Sequence, residues 1–282
     1  MKLFAVILTI IILPSSAFAW GFETHISIGM HILENTSVDI IRLNPSFFMC
    51  GNIFPDLFNL FKDFSSFKKS LPTHSWATVS KMSQAADSDE ERAFVYGYSA
   101  HLSADIIAHN HMVPQHIAYV NSGRMRSHLL LEMAEESMHL NRYSAELQRL
   151  LKFSPHYGAL FLRTMGISDT WFKREVAAIR LGVLSQKHLQ VHKVTRYLKK
   201  ITQPDFEKKC GFFREAALQQ AFDTIEHGYE SLRDCDPSGK KSMSDAKEIR
   251  KELLKDSSKR ALKKEFRKNT DQRHFPLSDS DT

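Results

Sequence analysis

The chain predicts an all-α fold: a single multi-helix domain gathered around a metal site, followed by a basic C-terminal tail. Three observations predict it. Apolar residues recur at helical spacing through most of the 282 residues. Convincing strand alternation is lacking. Histidines crowd into the first half, where nine of the 14 lie between His25 and His139. A metal centre gives that clustering a reason, and imidazole with carboxylate is a donor set suited to zinc.

The N-terminus reads as a signal peptide over residues 1–19. Met1-Lys2 precedes an apolar run from Leu3 to Leu13, and Pro14, Ser15, Ser16 and Ala17-Phe18-Ala19 supply the break and a small-x-small cleavage site. Cleavage after Ala19 makes Trp20 the new amino terminus and implies a secreted or periplasmic product. Past Ala19 no apolar run reaches the roughly 18 residues of a membrane helix, so the released chain is expected to be soluble. The formal charge of +6 favours anionic partners such as phospholipid headgroups, nucleic acid or phosphoesters.

Helices are expected over Ile26 to Asn35 and Val38 to Leu43, then an irregular stretch from Asn44 to Pro55 with Pro45, Gly51 and Pro55 as breakers. Ser88-Asp89-Glu90-Glu91 is a capping box. It opens a helix running through His101 to about Asn110, stopped before Pro114. A long helix is expected from Arg126 to Leu151. Further ones fall over Gly158 to Met165, Trp171 to Leu181, Lys187 to Ile201 and Phe212 to Leu232. The helical domain is bounded at 20–235. After Pro237-Ser238-Gly239 the composition shifts, with 13 Lys/Arg against six Asp/Glu from Lys240 to Arg273. The tail, 236–282, is expected to be a solvated helix or disordered. Cys50, Cys210 and Cys235 allow at most one internal disulfide, for which Cys210–Cys235 is the candidate in an oxidising space. No C-x-x-C occurs, which excludes a cysteine zinc site and a thioredoxin-like centre. The phenylalanines Phe54, Phe58, Phe61, Phe64 and Phe67, beside Lys68 and Lys69, fit a short helix packed into the core better than a lipid-facing stripe.

The chemistry-bearing residues form an ordered set. His101 and Asp105 are four apart, so both lie on one helical face within reach of one ion. His109 continues that face. His111 would point elsewhere on an ideal helix and reaches a neighbouring ion only if the helix ends or bends near Asn110. His128 and Glu132 form a second pair four apart, with Glu135 and His139 continuing their face. His25 lies near the processed end. Asp56 falls in Gly51-Asn52-Ile53-Phe54-Pro55-Asp56, and His74 in Pro72-Thr73-His74-Ser75-Trp76. The candidate ligands are therefore Trp20, His25, Asp56, His74, His101, Asp105, His111, His128 and Glu132. His116, His139, His156, His188, His192, His227 and His274 fall outside the pattern.

That order resembles the zinc-dependent phospholipases C of bacteria, a family related to the single-strand nucleases of fungi and plants that use three zincs. The resemblance covers roughly residues 20 to 140. It rests on the mature N-terminal Trp20, then His25, Asp56, His74, H-x-x-x-D-x-x-x-x-x-H at His101/Asp105/His111 and H-x-x-x-E at His128/Glu132. It implies a trinuclear Zn2+ site. Asp56, His74, His101 and Asp105 would hold one ion. The α-amine and carbonyl of Trp20, with His25 and Asp105, would hold the second, so that Asp105 bridges. His111, His128 and Glu132 would hold the third. His109 competes with His111, and Glu135 with Glu132.

The resemblance also implies a phospholipase C-type phosphoric diester hydrolase, in which zinc-activated water attacks phosphorus and Asp56 serves partly as general base. The substrate would be a phospholipid at a membrane surface, and no stable protein partner is implied. Nucleic acid enters only under the alternative of a nuclease-like phosphodiesterase on the same site. A catalytically inert zinc-binding protein is the third reading.

Overall fold

A computed structural model describes residues 20–58, 71–120, 142–189, 206–269 and 274–277. Among these no strand occurs and helices dominate, so the protein is all-α, as expected. The signal-peptide segment 1–19, Phe61, Phe64, Phe67, Lys68, Lys69, His128, Glu132, Glu135, His139 and His192 lie outside the described residues. So does most of the sequence expected to be helical over Arg126 to Leu151 and Lys187 to Ile201. No helix of the described residues is long and apolar enough to cross a membrane.

Helix α1 (Phe22–Asn35) carries His25 and leads through α2 (Asp39–Leu43) into α3 (Pro45–Gly51). The irregular stretch expected from Asn44 to Pro55 is therefore corrected. Pro45 sits in the first turn of α3, where its missing N–H has no intrahelical partner to lose and its fixed φ suits the helix. A turn at 52–53 and a helical turn at 54–58 follow, and the latter holds Asp56. Further on, α4 (Trp76–Ala85) is capped by the Ser75 hydroxyl, which accepts from the Ala77 N–H.

The organising element is α5 (Asp89–Ile107). The expected capping box opens it: the Ser88 hydroxyl accepts from the Glu91 N–H at 3.3 Å, and the Glu91 carboxylate accepts from the Asp87 N–H at 3.0 Å. From Ala93 to Ile107 every residue but Tyr96 is buried. Helices that are apolar or small all round are buried on every side. Its flanks are covered chiefly by α3 and by α10 (Phe206–His227). Contact with α3 is close because Gly51 and Gly97 meet the opposing backbone. A Cβ on Gly97 would overlap the Phe48 carbonyl, and one on Gly51 the Phe94 carbonyl. On the other flank the Ser103 and Thr224 hydroxyls bond at 2.7 Å.

At Ala108 the helix widens into a π-turn (Ala108–Met112) and then resumes as α6 (Val113–Tyr119). Pro114 does not stop the chain as expected. It lies in the first turn of α6, where the π-turn has already broken the α-helical hydrogen-bond register.

Helices α7 (Ser144–Tyr157), α8 (Ala159–Met165) and α9 (Asp169–Leu189) close the other side. Their core is aromatic. Phe54 lies 5.0, 5.2 and 5.4 Å from Phe94, Phe161 and Phe172, and Phe58 lies 4.9 Å from Phe161. Phe54 and Phe58 are therefore core residues rather than lipid contacts, each stabilising the fold by roughly 1.5–3 kcal/mol.

The basic segment after Gly239 folds back as α11 (Lys240–Asp256) and α12 (Lys259–Lys268). Leu262 and Phe266, four apart and so on one face, are buried along with Ala246 and Arg250. The Arg250 guanidinium donates to the Ala118 and Ile117 carbonyls at the end of α6, at 2.9 and 3.4 Å. The Lys209 ammonium sits 4.2 Å over the Phe266 ring. Residues 240–268 are thus helical and packed onto the body of the molecule. Cys50, Cys210 and Cys235 are thiols, so the Cys210–Cys235 bridge considered above is not formed.

Candidate metal centre

Four chain segments meet at one end of α5. His101 and Asp105 come from α5 itself, His25 from the first turn of α1, Asp56 from the helical turn at 54–58, and His74 from the extended strip before α4. Asp56, His74, His101 and Asp105 each offer a ligand atom within 4.8 Å of the others. His74 Nε2 lies 3.1 Å from Asp105 Oδ2 and 3.3 Å from Asp56 Oδ1. His101 Nε2 lies 3.2 Å from Asp105 Oδ2 and 3.8 Å from Asp56 Oδ1.

Asp105 faces two ways. Its Oδ1 points at His25 Nε2, 3.4 Å away, while Oδ2 serves His74 and His101, with His109 Nε2 3.7 Å distant. The His25 and His101 rings stack with centroids 3.8 Å apart. His74 alone of the four keeps an exposed edge, 10 % of its side chain, and so marks the solvent side.

A hydrogen bond on the far side of the His101 ring fixes which nitrogen faces inward. A carbonyl oxygen can only accept, so His101 Nδ1, 2.9 Å from the Asn52 carbonyl, carries the proton and Nε2 turns its lone pair to the site. The Thr73 hydroxyl stands 3.1 Å from His74 Nδ1, and the Tyr98 hydroxyl donates to the Thr73 carbonyl at 2.7 Å, pinning that strip to α5. Asn52 braces two ligands at once, because its side-chain amide donates to the His25 carbonyl.

The arrangement fits a divalent cation better than it fits a self-contained ion-pair network. His25 Nδ1 and Nε2 and Asp105 Oδ1 are buried without a hydrogen-bond partner, a costly state for polar atoms inside a protein. His74 Nε2 and His101 Nε2 approach to 3.3 Å, close for two acceptor nitrogens unless a proton or a cation lies between them.

The electrostatics agree. Burial opposes a proton on His74, but hydrogen bonds to Asp105 and Asp56 outweigh it and push its pKa up to about 9. Burial, then the neighbouring His25, lowers His101. Burial likewise brings His109 down to about 4. Although burial acts to raise it, Asp105 is held well below the usual carboxylate range by His101, His25 and His74.

One consequence is measurable. A raised histidine pKa stabilises the metal-free fold fully below the ordinary 6.5, and that contribution is lost as pH rises through about 9. Zinc requires the unprotonated ring, so its affinity runs oppositely and climbs over the same interval. Loading near neutral pH should release a proton. Calorimetric zinc titration in two buffers of different ionisation enthalpy checks this, and equal heats in both would contradict it.

The remaining candidates fall as follows. Trp20 is fully buried, and its indole N–H donates to the Ala104 carbonyl at 3.2 Å. His111 does not join the four. It lies within the π-turn with Nδ1 3.3 Å from the Phe275 carbonyl, whereas His109 sits nearer Asp105. His128 and Glu132, expected beside His111, are not among the described residues. His116 donates to the Met112 carbonyl and packs against Phe266, a structural role.

Sequence reasoning does not find Asn52 as a brace, since an asparagine between a glycine and an apolar run carries no ligand signal. Asn52→Ala should weaken zinc binding roughly 10–100-fold. Competition against a chelator of known affinity measures it; the variant keeps the backbone carbonyl on His101, so an unchanged constant removes the role of the side-chain brace on His25.

Comparison with known families finds that a family model described as zinc dependent phospholipase C matches residues 24–185, a span that includes His25, Asp56, His74, His101, Asp105, His111, His128 and Glu132. Comparison with curated proteins and with solved structures gives no match.

Proposed function

This chain belongs to the zinc-dependent phospholipase C family, and from that premise we propose that it is an exported enzyme cleaving the glycerol–phosphate bond of phospholipids to diacylglycerol and a phosphorylated headgroup. The observation that carries the proposal is the buried convergence of Asp56, His74, His101 and Asp105 in a family defined by zinc.

In this reading the site holds three Zn2+ ions. Asp56, His74, His101 and Asp105 bind the first. His25, Asp105 and the processed Trp20 terminus would hold the second, with Asp105 shared between the two. His111, His128 and Glu132 bind the third. Zinc, when bound, brings coordinated water towards a pKa of roughly 7 and neutralises charge on phosphate oxygens. Asp56, whose Oδ1 lies 3.3 Å from His74 Nε2, would hold metal and serve partly as general base for the attacking water. His74 marks where the substrate phosphate enters. Attack on phosphorus is in line and needs no covalent enzyme intermediate. Cys50 is no rival nucleophile, because burial raises its thiol pKa far above neutrality.

Export matters to the chemistry. While Ala19 remains attached, the nitrogen of Trp20 is an amide, a poor ligand; cleavage creates an amine with an ordinary pKa of about 7.7–8.0 that zinc lowers further. The substrate is met at a membrane surface after export.

Incubation of the protein beginning at Trp20 with phosphatidylcholine vesicles and with single-stranded DNA, each with and without chelator, tests the reading. Chelator-sensitive diacylglycerol release is expected. Nucleotide release without diacylglycerol would assign the site to nucleic acid, and inertness of the fully loaded protein towards both would overturn an enzymatic role.

A further inference from the structure

Beyond the last helix, the short segment 274–277 returns to the π-turn. There the Phe275 carbonyl accepts from Gln115 Nε2 at 2.8 Å and stands 3.3 Å from His111 Nδ1. The His274 ring lies 6.2 Å from Tyr119. His111, Gln115 and Tyr119 are spaced by four, so the segment runs along one face of the π-turn and α6. Phe275 has φ +68°, alone among the described non-glycine residues in the left-handed region. Such backbone is held only where its surroundings impose it, and it concentrates at functional sites. Here it turns a carbonyl onto a histidine of the ligand pattern. The segment lies outside the 24–185 span that the family match covers.

We infer that the Phe275 carbonyl is the positioning group for His111, fixing its tautomer so that Nε2 is presented to a zinc ion, and that the C-terminal segment thereby completes the metal centre. The chemistry is that of the outer shell around other metal-binding histidines: the far ring N–H is donated to a carbonyl, and the near nitrogen is aimed and made more basic. His101 shows the same device with the Asn52 carbonyl. The inference rests on the reading of His111 as a ligand.

The experiment compares four proteins: the full chain, a chain ending at Arg273, Phe275→Gly and His111→Ala. Each is dialysed against buffered free zinc and its metal content counted by mass spectrometry. Nitrogen NMR of the His111 ring reports which nitrogen carries the proton. Phe275→Gly keeps the carbonyl and tolerates positive φ, so it separates positioning from loss of the segment.

The expected result is that His111→Ala and the shortened chain lose the same single ion, or bind it about 10–100-fold more weakly, with the remaining ions retained. Phe275→Gly should keep all of them, and the His111 proton should sit on Nδ1 in the full chain. Retention of the other ions shows that the shortened chain has folded. If His111→Ala costs an ion and the shortened chain does not, the positioning role is overturned and the ligand reading survives. If His111→Ala costs none, the ligand reading fails and the inference falls with it. Loss of every ion from the shortened chain would make the segment a general folding requirement, which also overturns a role specific to His111.

Discussion

Asp105→Asn should strip at least two metal ions from each chain and reduce phosphodiester hydrolysis to background. The reason is the division of labour between its two oxygens. Oδ1 faces His25 at 3.4 Å, and Oδ2 faces His74 and His101 at 3.1 and 3.2 Å. An asparagine amide keeps the volume but loses the charge, and its nitrogen is a poor ligand. The metal-free protein should weaken too, because a protonated His74 would be left buried with only Asp56 to balance it. Removing one partner of a buried charge pair costs about 3–5 kcal/mol. Metal counting and chemical denaturation of the metal-free variant measure the two effects separately. Loss of a single ion would show that Asp105 serves one site only and does not bridge.

The second large effect is expected at a residue that is not itself a ligand. Gly97→Val should prevent stable folding, a loss of about 4 kcal/mol or more. At Gly97 the intruding carbon meets the backbone carbonyl of Phe48, and next to it the Asn52 N–H. Backbone has no rotamer to turn aside, so α3 would have to lift from α5. That displacement would carry the turn at 52–58 with it, including Asn52 and Asp56, and open the metal cage. Expression of soluble protein, a denaturation midpoint and zinc content together test this. A folded Gly97→Val protein with full metal content would mean that the α3–α5 crossing can relax.

Much of this was legible in the sequence because helices announce themselves locally. The capping box at Ser88 and the i, i+4 pair His101/Asp105 depend on residues a turn apart, and both are where the spacing placed them. The meeting of His25, Asp56 and His74 with that pair is long-range. It came from the order of residue types in a resembling family rather than from any periodicity. The stretch after Asn44 is not legible as helix because proline and glycine ordinarily break helices, whereas here Pro45 begins one and Gly51 permits a crossing. The π-turn was also hidden. A single inserted residue shifts the ring register beyond Ala108, which is why spacing alone could not decide between His109 and His111. The packing of 240–268 is hidden for a compositional reason: its few core-facing apolar residues, Leu262 and Phe266 among them, are outvoted by the lysines and arginines around them.

The turn that carries His109, Asn110 and His111 is held from the far end of the chain. The Asn110 side chain reaches the Asp236 carbonyl at 2.9 Å and the Ser242 hydroxyl at 2.7 Å, the latter across 132 positions. Gly239 lies so close over His109 that no larger residue would fit. A nascent chain would therefore carry Asp56, His74, His101 and Asp105 well before this backing is synthesised. Maturation of the centre is tied to completion of synthesis, and a prematurely terminated product would lack the support that shapes its second half.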